Sequence, residues 1–256
     1  MNSFETFKQL HKNSGPLLIG NVWDVKSAET FQSAGFKAIG ISSQAISNAL
    51  GYPDGENLPF EDLLRISQRI TKVVDLPLTV DMEAGYSRNL DGILKNIEKL
   101  HDRGAVGINL EDTIPGEKRS LTPAASFAET IAAVAGHIIQ KRLNIFLNIR
   151  TDAFLLGLPN ALEETQKRIK LYQKAGADGI FVPCITKSED IATVVQSSSL
   201  PINVMCMPDL PGFKELELLG VKRISMGGFF FNKVYDYAGV LARKILAEQE
   251  FSDIFS

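Results

Sequence analysis

Four segments of this chain repeat one plan: Ala34-Gly35 leading into Ile39-Gly40-Ile41, Arg103-Gly104 into Ile108-Asn109-Leu110, Ala175-Gly176 into Ile180-Phe181-Val182, and Leu219-Gly220 into Ile224-Ser225-Met226. In each, an amphipathic stretch ends at a glycine able to take the left-handed, helix-terminating conformation, and a short apolar run follows. That is a helix-to-strand joint. Between these joints the apolar runs predict strands near 17–22, 38–42, 78–82, 106–111, 144–149, 178–182, 202–206 and 223–227. Helices are predicted over 25–34, 60–74, 89–103, 122–140, 159–175, 186–196, 209–219 and 232–248, after a short leading helix in the first dozen residues. Eight alternating units in 256 residues have the size and rhythm of an α/β (β/α)8 TIM barrel. The strands read as nearly continuous apolar runs, as parallel strands covered on both faces do. A doubly wound open sheet is the rival, but Leu18-Ile19-Gly20-Asn21-Val22-Trp23-Asp24 has a single glycine where a dinucleotide fingerprint needs several. One barrel domain is expected over 1–256, with the polar tail 248–256 left to pack on a neighbouring subunit or to stay free.

Composition narrows the function. The formal net charge of -3 supplies no broad basic surface, which argues against nucleic acid or a membrane as partner. Three histidines and two cysteines, Cys184 and Cys206, are too few for a Cys/His zinc cluster and outline no disulfide framework. A reducing, cytoplasmic setting is expected. The opening Met1-Asn2-Ser3-Phe4-Glu5-Thr6 lacks the cationic and apolar regions of an export signal.

Reactive side chains of such a barrel sit at the C-terminal ends of its strands. Collected there are Asn21, Trp23 and Asp24; Ser42, Ser43 and Gln44; Asp81 and Glu83; Glu111 and Asp112; Arg150 and Asp152; Pro183 and Cys184. Converging carboxylates repel unless a cation or protons compensate, so a divalent metal site with a cationic anchor beside it is the economical explanation. Asp81 and Glu83 are two apart, and in extended backbone they point to the same side. With Glu111 they form a hard oxygen set suited to Mg2+, or Mn2+, rather than Zn2+. Asp112 and Asp152 read first as caps of the following helices, with a share in the site as the alternative. Arg150 reads as a bidentate anchor for a carboxylate or phosphate, with a structural ion pair to one of these acids as the alternative. Gly51-Tyr52-Pro53-Asp54-Gly55 and Thr113-Ile114-Pro115-Gly116-Glu117-Lys118-Arg119-Ser120 read as mobile loops over the site, or as solvated turns.

Taken in order, Asn21-Val22-Trp23-Asp24, Ser42-Ser43, Gly51-Tyr52-Pro53-Asp54, Val80-Asp81-Met82-Glu83-Ala84-Gly85-Tyr86, Asn109-Leu110-Glu111-Asp112 and Arg150-Thr151-Asp152-Ala153 resemble the isocitrate lyase and phosphoenolpyruvate mutase superfamily, from about residue 15 to 230. The resemblance implies a (β/α)8 barrel that binds Mg2+ and a small anionic carboxylate or phosphonate, and that forms a homo-oligomer, dimer or tetramer. It places Asp54, Asp81, Glu83 and Glu111 in the acidic metal shell, Ser42 and Ser43 on the substrate carboxylate with Gln44 beside them, and makes Arg150 the family arginine. The lyases that cleave isocitrate or methylisocitrate carry a cysteine and histidine loop after strand four; Pro115 to Ser120 has neither. Lys118 and Ser120 are partial echoes of the phosphonomutase loop, whose asparagine is missing.

The chemistry expected is a Mg2+-dependent lyase acting next to the carbonyl of a 2-oxo or 2-hydroxy acid through an enolate, by carbon-carbon cleavage or decarboxylation. Asp54, Lys118 and Arg150 are the candidate catalytic side chains, since no histidine falls at a strand end. Phosphorus-carbon chemistry, as in a phosphonomutase or phosphonopyruvate hydrolase, is the alternative within the superfamily. A non-catalytic metabolite-binding barrel is the alternative outside it.

Overall fold

The computed structural model describes residues 2–116 and 119–255. Its strands are β1 (Leu17–Leu18), β2 (Gly20–Val22), β3 (Ile39–Ile41), β4 (Leu78–Asp81), β5 (Ala105–Glu111), β6 (Thr113–Ile114), β7 (Ser120–Leu121), β8 (Phe146–Arg150), β9 (Gly179–Val182), β10 (Ile202–Met205) and β11 (Arg223–Ser225). The helices are α1 (Ser3–Leu10), α2 (Val25–Ser33), α3 (Ser43–Ala49), α4 (Phe60–Thr71), α5 (Leu90–Asp102), α6 (Ala124–Lys141), α7 (Ala161–Lys174), α8 (Ser188–Gln196), α9 (Phe213–Leu218) and α10 (Phe229–Glu248).

All pairings in the main sheet are parallel, and β1 and β2 are two halves of one stretch. The first half pairs with β11 and the second with β3, so the sheet closes on itself into a (β/α)8 barrel. The four joint glycines behave as expected: Gly35, Gly104, Gly176 and Gly220 have φ of 88°, 88°, 103° and 86°, which a side chain would resist.

Strand alternation sorts the residues into two populations. Facing outward are Ile39, Ile41, Val80, Ile108, Leu110, Leu147, Ile149, Ile180, Val182, Val204 and Ile224, which form the principal core with helix residues such as Leu63, Ile97, Ile131, Ile169 and Ile191. Each such side chain contributes about 1.5–3 kcal/mol by leaving water. Facing inward is a different set. Asn109 pairs in register with Asp81 and Asn148, Glu111 with Arg150, and Asn203 with Arg223. Asn148 Nδ2 donates to Asn109 Oδ1 (2.9 Å) and Asn203 Oδ1 (3.2 Å), so the middle of the barrel is hydrogen-bonded rather than oily. The strands therefore depart from the continuous apolar reading: the outward face is apolar, and the inward face mixes polar and small residues with a few large apolar ones, Ile19, Phe146 and Phe181.

The base is plugged by α1. Phe7 packs edge-on to Phe146 (5.7 Å between centroids), and His11 stacks on the same ring (4.4 Å). Gly107 leaves the room, since a Cβ there would lie 2.9 Å from Phe7. The tail folds back through a short helical turn, Ser252–Ile254, with Lys244 paired to Asp253.

Candidate active site

At the mouth, β3 runs directly into α3. Ser42 is the helix N-cap, its Oγ accepting from the amide of Ala45 (3.3 Å). Ser43 and Gln44 therefore belong to a first helical turn, not to an extended strand end followed by a long loop, and the Gly51 to Gly55 connection begins only after α3. Ser43 Oγ donates to Asp81 Oδ2 (2.9 Å), which fixes that carboxylate at the end of β4.

Glu83 reaches the same region by a different route from the one expected. β4 ends at Asp81, and Glu83 has φ 48°, in the left-handed region where extended-strand alternation does not apply. Gly85 and Tyr86 continue the turn with φ of 102° and 53°. The turn is held by the amide of Glu111, which donates to Glu83 O (2.8 Å), and by the amide of Glu56, which donates to Glu83 Oε1 (2.9 Å). Glu56 in turn accepts from the amide of Tyr86 (2.7 Å) and pairs with Arg88, clipping the connection after α3 onto the Glu83 turn. A non-glycine residue in this conformation stores on the order of 1 kcal/mol, retained here by these bonds.

Glu111 and Arg150 are register neighbours on β5 and β8. Arg150 grips Asp152 bidentately, Nε to Oδ1 at 2.6 Å and Nη2 to Oδ2 at 3.1 Å. Its Nη1 stands 3.0 Å from Glu111 Oε2, out of line for a hydrogen bond. Thr113 Oγ1 lies 2.7 Å from Glu111 Oε1 and 2.8 Å from Asp152 Oδ2. Arg119, which the sequence reading did not single out, enters from the edge of the β6 and β7 hairpin. Its Nη1 is 3.3 Å from both Glu111 Oε1 and Asp152 Oδ2, and its Nη2 is 3.9 Å from Glu83 Oε2. Lys118 lies outside the described residues.

Asp112 and Asp152 cap no helix; Pro123 and Asn160 stand at those positions. Asp152 is the acid that organises Arg150. Asp112 points the other way, out of the barrel, where Arg168 (2.9 Å) and Tyr172 (2.8 Å) donate to its Oδ2 and the amide of Asp152 donates to its Oδ1 (3.1 Å).

The electrostatics of the mouth are dominated by crowding. Burial, then the charges of Asp81, Asp54 and Glu111, push Glu83 up to about 9. Burial raises Glu111 as well, against the pull of Arg150, and burial with Asp81 raises Asp54. Burial opposes the Arg150 charge, but Glu111, Asp152 and Asp81 hold the proton on far above the ordinary value. Cys184, after β9, is half-buried, with its thiol pushed up by burial.

Three carboxylate oxygens here, Asp81 Oδ1, Glu83 Oε2 and Glu111 Oε2, are buried with no hydrogen-bond donor. A hard divalent cation fits such oxygens by chemistry and by charge. Among the described residues no three acid, histidine or cysteine side chains converge closely enough to chelate one ion as they stand. Beside these acids opens a cavity of about 350 Å³, whose wall includes Ser42, Ser43, Gln44, Asp54, Asp81, Asn109, Arg119, Arg150 and Phe181. The structure thus brings the predicted Ser42, Ser43, Gln44, Asp54, Asp81 and Arg150 onto one wall, with Glu83 and Glu111 packed behind it.

The fold and the crowded acidic mouth can be set beside known proteins. Residues 7–246 match the family described as phosphoenolpyruvate phosphomutase, and the chain belongs to that family, within the phosphoenolpyruvate mutase and isocitrate lyase superfamily. It is similar to an uncharacterised protein of Mycobacterium tuberculosis, 30% identical over 96% of this chain and 90% of that one. An oxaloacetate decarboxylase of Pseudomonas fluorescens is 28% identical over 88% of this chain and 79% of its own length. Among solved structures, a Burkholderia cenocepacia protein provisionally described as a phosphonomutase superposes with a TM-score of 0.89 at 33% identity, covering 94% of this chain and 99% of that one.

Proposed function

We propose that this barrel is a divalent-cation-dependent lyase that acts next to the carbonyl of a small 2-oxo acid, breaking the bond from the carbon beside the 2-oxo group to the carbon beyond it, oxaloacetate and its branched relatives being the substrate class. One observation carries the reading: orphaned carboxylate oxygens stand beside a cavity that Arg150, Ser42 and Ser43 also line. Asp81, Glu83 and Glu111 would hold Mg2+ or Mn2+, directly or through water, and a cation there supplies Lewis-acid polarisation of the substrate's 2-oxo group. Arg150, fixed by Asp152, faces the substrate carboxylate, and Ser42 and Gln44 add polar contacts at the start of α3. When the carbon-carbon bond breaks, its electron pair moves into the enolate, carbon dioxide or the carbonyl fragment departs, and a proton returns to carbon. Asp54, on the cavity wall with its carboxyl raised by partial desolvation and by the charge of Asp81, is the group we assign to that proton.

The resemblance to the provisionally described phosphonomutase supports a second reading, phosphorus-carbon chemistry at the same site. The test is incubation with Mg2+ and oxaloacetate, branched 2-oxo and 2-hydroxy acids, or phosphonopyruvate, following pyruvate and phosphate separately. Pyruvate without phosphate supports the lyase, phosphate from phosphonopyruvate supports the second reading, and binding without turnover across the panel supports a metabolite-binding barrel. A cytoplasmic homo-oligomer is part of the proposal. The exposed Phe230, Tyr235, Tyr237, Val240 and Leu246 along α10 support association, which light scattering after size exclusion tests. No described helix is long and apolar enough to cross a membrane.

A further inference from the structure

We propose that Arg119 is a tethered counter-ion that stands in the acidic mouth in place of a divalent cation and leaves it when one binds. The inference rests on the cation-site reading above and adds to it a competitor built into the chain. The guanidinium of Arg119 touches three acids supplied by three different segments, Glu83, Glu111 and Asp152. Two of these belong to the proposed ligand set, and each keeps a buried oxygen without a hydrogen-bond donor.

The two arginines of the mouth differ in how they are held. Arg150 rises from β8 and is locked by the bidentate grip of Asp152. Arg119 lies just outside β7, its side chain 22% exposed, with contacts of 3.3 to 3.9 Å that are loose for a guanidinium against carboxylate. It is held by one long hydrogen bond, Nη1 to Asp152 Oδ2 at 3.3 Å, rather than by a bidentate grip, and it has solvent to retreat into. A divalent cation needs the same oxygens at much shorter distances and in greater number. Guanidinium and metal carry like charge, so both cannot sit against Glu83 and Glu111, and cation binding becomes an exchange. In its present position Arg119 already borders the cavity with Asp54, and a guanidinium released from the acids would stay tethered at that edge, within reach of an anionic ligand. Cation and anion occupancy therefore favour each other through this side chain.

The experiment is a Mn2+ titration without substrate, read from the free-ion electron paramagnetic resonance signal, on the wild type, Arg119→Gln, Arg119→Lys and Asp81→Ala, with melting temperatures of the metal-free proteins. Removing the competitor should tighten Mn2+ binding of Arg119→Gln by at least about tenfold, while its metal-free melting temperature falls. Arg119→Lys, which keeps the charge, should stay nearer the wild type, and Arg119→Met, which removes it, carries the comparison if the glutamine variant does not fold. A folded Arg119→Gln that binds Mn2+ no more tightly than the wild type overturns the proposal. Binding seen in Arg119→Gln but not in the wild type is its strongest support. If neither binds, or if Asp81→Ala binds as the wild type does, the cation reading itself fails and takes this inference with it.

Discussion

Glu111 and Asp112 are consecutive acids at the end of β5, both fully buried, and they live in opposite worlds. Asp112 faces the helix layer, where every group around its oxygens is a donor: Arg168, Tyr172 and the amide of Asp152. Glu111 faces the barrel mouth, among Glu83, Asp81 and Asp152, with one oxygen lacking a hydrogen bond. The difference separates two uses of buried charge. A saturated acid ties a strand to a helix, whereas an unsaturated one among other acids holds open a demand for a cation.

The largest effect expected on the outer side comes from Arg168→Met. It should cost about 3–5 kcal/mol, read as a drop in denaturant midpoint at unchanged slope, because Asp112 is left buried with reduced compensation. A smaller loss would mean that the outer network is dispensable and the contrast overdrawn. On the inner side, Asp81→Ala should lower turnover of the 2-oxo acid by about 10²–10³-fold, the scale of losing a principal electrostatic stabiliser, while the melting temperature of the metal-free protein stays level or rises. Wild-type turnover would remove Asp81 from the site.

The inner acids should also show in the pH dependence of the metal-free protein. Glu83 keeps its proton up to about 9 in the fold, against an ordinary value of 4.5. Between these values the native state binds more protons than the unfolded state, so stability falls as pH rises through this window, by at most about 1.4 kcal/mol per pH unit. Glu83→Gln should flatten that slope, and an unchanged slope would assign the effect to another group. The smallest effect is Tyr172→Phe, which removes one donor from Asp112 and should cost about 1–2 kcal/mol with activity retained.

Much of this contrast could be read before the fold was known. The joint glycines and outward apolar residues repeat strongly enough to place the barrel strands and most helices. α3 escaped because Ser43 to Ala49 is short, with small and polar residues that leave no clear apolar stripe. The 209–219 helix shrank to Phe213–Leu218, capped at Gly212, because Pro211 pushes the preceding Leu210 out of the helical region. Asp81, Glu111 and Arg150 were legible because charge at a strand end stands out against apolar neighbours. Glu83 comes beside Asp81 and Glu111 through a left-handed turn, not through the strand alternation that its spacing predicts. Arg119 was hidden because a cation beside glycine and proline reads as solvated. The signal that could have exposed it was charge balance: Asp54, Asp81, Glu83, Glu111 and Asp152 exceed what Arg150 alone can offset. The outward direction of Asp112 depended on Arg168 and Tyr172, which lie more than 50 residues away and reach it only through the packing of α7.

The most direct test of the central claim compares Glu111→Gln with Asp112→Asn, measuring the melting temperature without metal and the Mn2+ affinity of each. Glu111→Gln should keep its stability to within about 1 kcal/mol while losing Mn2+ affinity, because a neutral amide relieves the acidic crowd. Asp112→Asn should lose about 3 kcal/mol, since Arg168 would be left buried without its partner charge, while the folded protein binds Mn2+ as the wild type does. The reverse pattern, or equal effects of the two substitutions on both quantities, would contradict that claim.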